Sequence, residues 1–316
     1  MTTVSFLSRA MRGVFAFAAL GVALVASPDG AAAQDRLQIG YGRLTTNDSI
    51  GEFKDRWQTS SQVQSRIWGP DWTGTAPLSF GQLIEFRSGA RIIAPEGLRV
   101  FDEDDRRFAG ILSFGLHTHA SRGASEVSLG GDLVIIGEQT RLDQIQTAIH
   151  DIAGIDPPSK SVLSQQIDDQ VRPTLVAEAG QRFALGSNAR LRPFVETRAG
   201  AETYARIGAD LTFGQFGAEG LMVREEVTGQ RYEAVAGVDQ GFSFTLGGDI
   251  AQVFSSVYLP DDEGPELESA RARVRAGMQW RRGDFSVFYG TTYLSEEFEG
   301  QGSGQFLGSA RIRISF

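Results

Sequence analysis

The chain has 316 residues, no cysteine and a formal net charge of −9. Acidity argues against nucleic acid as a partner, and a chain without cysteine has no disulfide framework to rely on. Its 38 glycines and 21 phenylalanines, with no later run reaching the roughly 18 apolar residues of a membrane helix, point to a chain that crosses a membrane with strands.

Residues 1–33 read as a signal peptide. Arg9 and Arg12 supply a positive start, residues 14–26 an apolar centre, and Ala31, Ala32 and Ala33 a small-residue cleavage site. Its removal takes the net charge to about −10. Residues 34–316 are then expected to form one domain.

Strand signals follow at 36–44, 57–68, 78–93, 108–120 and 126–137. After a helix-bearing stretch they resume at 171–185, 190–199, 204–216, 232–246, 268–280, 285–298 and 305–316. Residues 249–259 read as a bent connection. The last strand is the clearest: Ala310, Ile312, Ile314 and Phe316 alternate with Ser309, Arg311, Arg313 and Ser315. In a soluble protein that pattern is an edge strand; after an export signal, a terminal aromatic looks like the end of a bacterial outer-membrane barrel. The expected fold is all-β: a twelve-stranded antiparallel transmembrane β-barrel with a short extracellular helix. An even strand count puts both termini on the periplasmic side.

The stretch 139–170 holds the helix. Ile145, Ile149 and Ile152 recur at helical spacing, Leu142 sits one turn earlier, and Gly154, Pro157 and Pro158 end the pattern. It carries His150, with Asp151 beside it and Asp156 beyond the helix end. Histidine is the usual proton carrier near neutral pH; the plainer reading is a surface helix with solvated charges. With the termini in the periplasm, His150, Asp156, the loop with Asn47 and Asp48, the start of the second strand at Thr59 and the loop 94–105 all fall on the outer rim.

The motifs for common hydrolases are missing: there is no G-x-S-x-G, no H-E-x-x-H and no cysteine nucleophile. The rim offers oxygen ligands instead, from Asn47, Asp48, Thr59, Asp156 and backbone carbonyls. Calcium takes six to eight such oxygens, and with a histidine to deprotonate water they would make a hydrolytic site. Turn chemistry is the plain reading of Asn47-Asp48-Ser49. His117 and His119, two apart on one strand, suggest a metal site but read better as lumen-facing polar residues near the periplasmic end.

Taken together these residues resemble the lipid A 3′-O-deacylases of the Gram-negative outer membrane. The likeness runs through Asn47 and Asp48, the D-R-x-x-T segment of Asp55, Arg56 and Thr59, and the D-R-x-F-A-G segment from Asp105 to Gly110. It continues through Gln146 and His150, Asp156, Gln166, Glu297-Phe298 and the ending GQFLGSARIRISF. The resemblance implies a calcium-dependent esterase that removes the 3′-linked acyloxyacyl group of lipid A. In it His150 is the general base, Asn47, Asp48 and Thr59 complete the catalytic set, Asp48 and Asp156 serve the Ca2+, and Arg99 meets a lipid A phosphate. Expected partners are lipid A or lipopolysaccharide and outer-membrane lipids, with the chain acting as a monomer. The sequence departs from the family at Gln58-Thr59-Ser60-Ser61 and Ser161-Val162-Leu163, and its acid is an aspartate where some members have glutamate. A serine-type outer-membrane phospholipase and a non-catalytic barrel, either a small pore or a binding protein, are the alternatives.

Overall fold

Strands that alternate an apolar with a polar row bury both faces only when the sheet closes on itself inside a membrane, and this chain does so. The computed structural model describes residues 36–314 apart from 53, 55, 155, 239 and 261–263. Residues 1–33, read above as a signal peptide, and Asp55, Ser315 and Phe316 lie outside the described residues.

The first five barrel strands are β1 (Leu37–Asn47), β2 (Trp57–Gly69), β3 (Ile84–Ala94), β4 (Ala109–Arg122) and β5 (Ser125–Ile136). A short 3₁₀ turn, Glu138–Thr140, then leads to helices α1 (Leu142–Ala153) and α2 (Lys160–Leu163). The chain returns as β6 (Gln170–Gln181), the two-residue β7 (Phe183–Ala184), β8 (Ala189–Ala199) and β9 (Glu202–Phe213). A hairpin of β10 (Leu221–Arg224) and β11 (Arg231–Val235) precedes the last barrel strands. These are β12 (Gly241–Ser256), β13 (Ala270–Arg282), β14 (Phe285–Leu294) and β15 (Gln305–Ile314). Each barrel strand pairs antiparallel with its neighbours, and the twelve close through β1 on β15 and β6 on β8.

The outward row is apolar and exposed. On β12 it is Phe242, Phe244, Leu246, Ile250 and Phe254; on β4 it includes Phe114 and Leu116. The inward row is charged and paired. His117 Nε2 lies 2.8 Å from Asp132 Oδ1 and His119 Nε2 lies 2.7 Å from Glu85 Oε2, so both histidines are lumen residues, as their strand position suggests.

The ninth barrel strand corrects the sequence reading. The pattern at 232–246 is split: Tyr232 belongs to β11 inside the barrel, and the wall strand is β12, which takes in most of the supposed bent connection at 249–259. The β10–β11 hairpin alternates like a wall strand but has no lipid-facing row. Leu221, Val223, Tyr232, Ala234 and Val235 are all buried against inward-facing Leu44, Val63, Ile67 and Phe288. Glycine on β1 makes room for it, because a Cβ on Gly42 would sit 2.3 Å from the carbonyl oxygen of Glu233. Glu233, fully buried in the hairpin, pairs with Arg281 and Arg311 from the wall. The third strand also starts later than its signal, at Ile84, because residues 78–83 are turn and bend.

Candidate active site on one rim

The described chain begins and ends at one end of the barrel. The other rim carries the connections 48–56, 95–108, 137–169 and 295–304, and every candidate residue lies in these or, for Asn47 and Thr59, in the strand ends beside them.

The β1–β2 turn is built around Asp48. Its carbonyl accepts from the backbone N–H groups of Gly51 and Glu52, each at 2.9 Å, and its own N–H donates to Thr59 O at 3.1 Å. Its carboxylate, 1% exposed, accepts from the Arg56 N–H at 3.0 Å. Asn47 Oδ1 accepts from the Ser49 N–H at 2.8 Å, so turn chemistry is present at the Asn-Asp pair. The strand that follows is irregular in two ways. Trp57 is buried with φ of 53°, a left-handed conformation rare for a bulky residue. Thr59 then forms a β-bulge, since Gln58 pairs with Ile93 and Ser60 already with Ile92. Bulges and left-handed residues mark places where a fold re-aims a side chain. Thr59 Oγ1 is buried and has no hydrogen-bond partner among the described residues.

Beneath the turn lies a charged brace. Arg56 pairs with Glu52 at 3.0 Å and Glu96 at 2.5 Å, and its guanidinium stacks 3.9 Å from the Trp57 ring centre. Arg106 is buried in an ion pair with Glu297, and Gln58 Nε2 donates to both Glu297 oxygens at 3.0 Å. Burial alone would raise the Glu297 carboxyl, but the charges of Arg106 and Arg271 and the Gln58 bond hold it at about 2. The Arg of both D-R segments therefore has a structural task here. Glu297 was visible in the sequence only as part of an ending, with nothing to show its partner almost two hundred residues upstream.

Helix α1 supplies the histidine. It ends at Gly154, whose φ of 68° suits glycine at a helix C-terminus. Leu142 packs with Phe108, Ile92, Ala94 and Val162, which fixes the helix over the tops of β3 and β4. Gln146 and His150 follow at four-residue steps on the same side, 3% and 6% exposed. His150 Nδ1 is 3.0 Å from the Asp156 carbonyl oxygen. A carbonyl only accepts, so Nδ1 carries the hydrogen and the neutral ring keeps Nε2 as its basic nitrogen. The Asp156 carboxylate is exposed and pairs with Arg99 at 2.5 Å.

The structure thus joins Arg99, Asp156 and His150 directly, and Asp48 with Thr59 directly. Packing ties the two groups together: Ile92 and Ala94, which hold Leu142, are the strand partners of Ser60 and Trp57. Among the described residues no cluster of three or more His, Asp or Glu is arranged to hold a metal ion. A hard cation here would need neutral oxygens as well as carboxylate. The Thr59 hydroxyl, buried without a partner among the described residues and on a residue whose backbone carbonyl accepts from the Asp48 N–H, fits that requirement.

A family model described as outer membrane protein LpxR matches residues 15–316. A search of curated proteins finds no match. Among solved structures, LpxR from Salmonella typhimurium is similar at a TM-score of 0.73 and 17% identity, covering 88% of this chain and 100% of that one. The translocator domain of the autotransporter NalP from Neisseria meningitidis has a TM-score of 0.41 at 9% identity, over 100% of this chain and 97% of that one. The beta domain of the Bordetella autotransporter BrkA has 0.40 at 13%, over 88% and 99%. The Salmonella protein shows the shared fold, and the family model spans nearly the whole sequence. The chain belongs to the LpxR family of outer membrane proteins.

Proposed function

We propose that the protein is a calcium-dependent esterase that removes the 3′-linked acyloxyacyl group of lipid A, with its site at the outer leaflet. The observation that carries this reading is the hydrogen bond from His150 Nδ1 to the Asp156 carbonyl, which fixes the tautomer a general base needs. Nε2 takes a proton from water, and the hydroxide oxygen bonds to the ester carbonyl carbon. The carbon–oxygen bond to the sugar then breaks, and His150 returns its proton to the leaving oxygen. The products are a sugar hydroxyl and the free acyloxyacyl carboxylic acid, its inner ester intact.

Asp48, with Asn47 and the Thr59 hydroxyl, would hold the calcium, and Asp156 is assigned to it in competition with Arg99. Bound calcium would polarise the ester carbonyl. Arg99, exposed and paired only at its tip, is the group assigned to a lipid A phosphate, which an arginine can grip through two donors. An even strand count supports the outward placement, because it leaves the site on the rim opposite the described ends of the chain.

Mass spectrometry of lipid A from cells with and without the protein tests the activity. The expected result is loss of the 3′-linked acyloxyacyl mass only when the protein is present. In detergent-solubilised enzyme, chelation should abolish turnover and calcium should restore it better than magnesium, whose octahedral shell is tighter. Unchanged lipid A rejects the activity; full turnover in chelator rejects the cation.

A further inference from the structure

The isoleucines that mark α1 in the sequence do not pack on the protein. Ile145, Ile149 and Ile152 are 52%, 57% and 89% exposed, while Leu142, Gln146 and His150 are buried. At about 100° per residue the three isoleucines fall within an arc of about 60°. The next arc round the helix holds the buried Leu142, Gln146 and His150, and the arc opposite the isoleucines holds Asp143, Thr147 and Asp151. The helix thus has three sides in order: apolar and exposed, protein-facing, and polar.

That order suits a helix lying at a boundary between hydrocarbon and water with one flank against a wall. Below it the wall is already lipid-facing. On β4, over whose top Leu142 is packed, the outward row is Leu112, Phe114 and Leu116, of which Phe114 and Leu116 are 43% and 63% exposed. Leu112, in that outward row, packs against the cluster that holds Leu142, which joins the helix to the apolar belt.

The geometry points to α1 as an interfacial helix whose isoleucine side is seated in the acyl-chain region of the surrounding leaflet. Lipid hydrocarbon is the occupant because the helix that carries the stripe is joined to the barrel's membrane belt. In its bearing on catalysis the inference rests on the reading of His150 above. A helix held at the lipid surface sets the height of His150 relative to the ester bonds just beneath the headgroups.

The chain has no cysteine, so single-cysteine variants Ile149→Cys, Ile152→Cys and Asp151→Cys can each carry one environment-sensitive fluorophore. The full chain is reconstituted in phosphatidylcholine vesicles with and without nitroxide-labelled acyl chains, and heat-modifiable migration confirms that each variant is folded. Probes at 149 and 152 should shift to shorter wavelength and lose intensity with nitroxide lipid, whereas the probe at 151 should respond to aqueous iodide. Iodide quenching at 149 and 152 equal to that at 151 would overturn the proposal. Shielding from both quenchers would also overturn it, and would assign the stripe to a protein partner. None of these readouts depends on turnover, so a failed deacylation assay and a failed helix placement are told apart.

Discussion

A histidine that donates through Nδ1 to a carbonyl carries its basic lone pair on Nε2. His150→Ala should therefore lower deacylation on the order of 10²- to 10⁴-fold while the barrel still folds, because that is the usual worth of a positioned base. His117→Ala is the control: it alters a lumen pair with Asp132 and should leave turnover close to wild type. A His150→Ala enzyme with wild-type turnover would reject the mechanism. Thr59 gives a second, independent test. Its hydroxyl is buried without a partner among the described residues, so Thr59→Val removes an unsatisfied group and should keep or raise thermal stability. If that hydroxyl serves the cation, the same variant needs more calcium for half-maximal activity. A calcium requirement that does not move would remove Thr59 from the ligand set. The identities of these residues were legible in the sequence because they recur in order along a resemblance. Their backbone settings were not, since neither the left-handed Trp57 nor the bulge at Thr59 leaves a mark in residue type.

Elements differ in how openly the sequence declares them. The wall strands announce themselves through two alternating rows, and α1 through isoleucine spacing and Gly154. That spacing says a helix is there but not which side is covered, and here the covered side is the one with Gln146 and His150. The β10–β11 hairpin misleads for a related reason: alternation reports a strand whether its second face meets lipid or the inside of a barrel. The loop brace makes a prediction at this scale. Glu297→Gln leaves the buried Arg106 without its counter-charge, at a cost on the order of 3–5 kcal/mol. The folded carboxyl titrates at about 2, below its unfolded value of about 4.3. The ion pair's contribution is therefore complete above the unfolded value and is lost as pH falls through the folded one. Thermal midpoints of wild type and Glu297→Gln should lie apart at neutral pH and converge near pH 2. A gap that stays constant with pH would show that the pair's charge is not what matters.

For the molecule as a whole, the decisive feature is a wall with its inside occupied. A barrel of this strand number has a modest lumen to begin with, and the hairpin between β9 and β12 occupies it, packed on Leu44, Val63, Ile67 and Phe288, with Glu233 fastened to Arg281 and Arg311. Planar bilayers containing the protein should show no steady conductance. Replacing residues 219–236 by a short flexible linker should produce discrete channel events if the variant inserts. Steady conductance from the intact chain would bring back the pore reading. The filled lumen also bears on how much of this protein a cell can tolerate. An outer membrane is a permeability barrier, and each open barrel placed in it weakens that barrier in proportion to copy number. A chain that carries its own stopper separates dosage from leakage, so its abundance can rise without admitting bulky antibiotics to the periplasm.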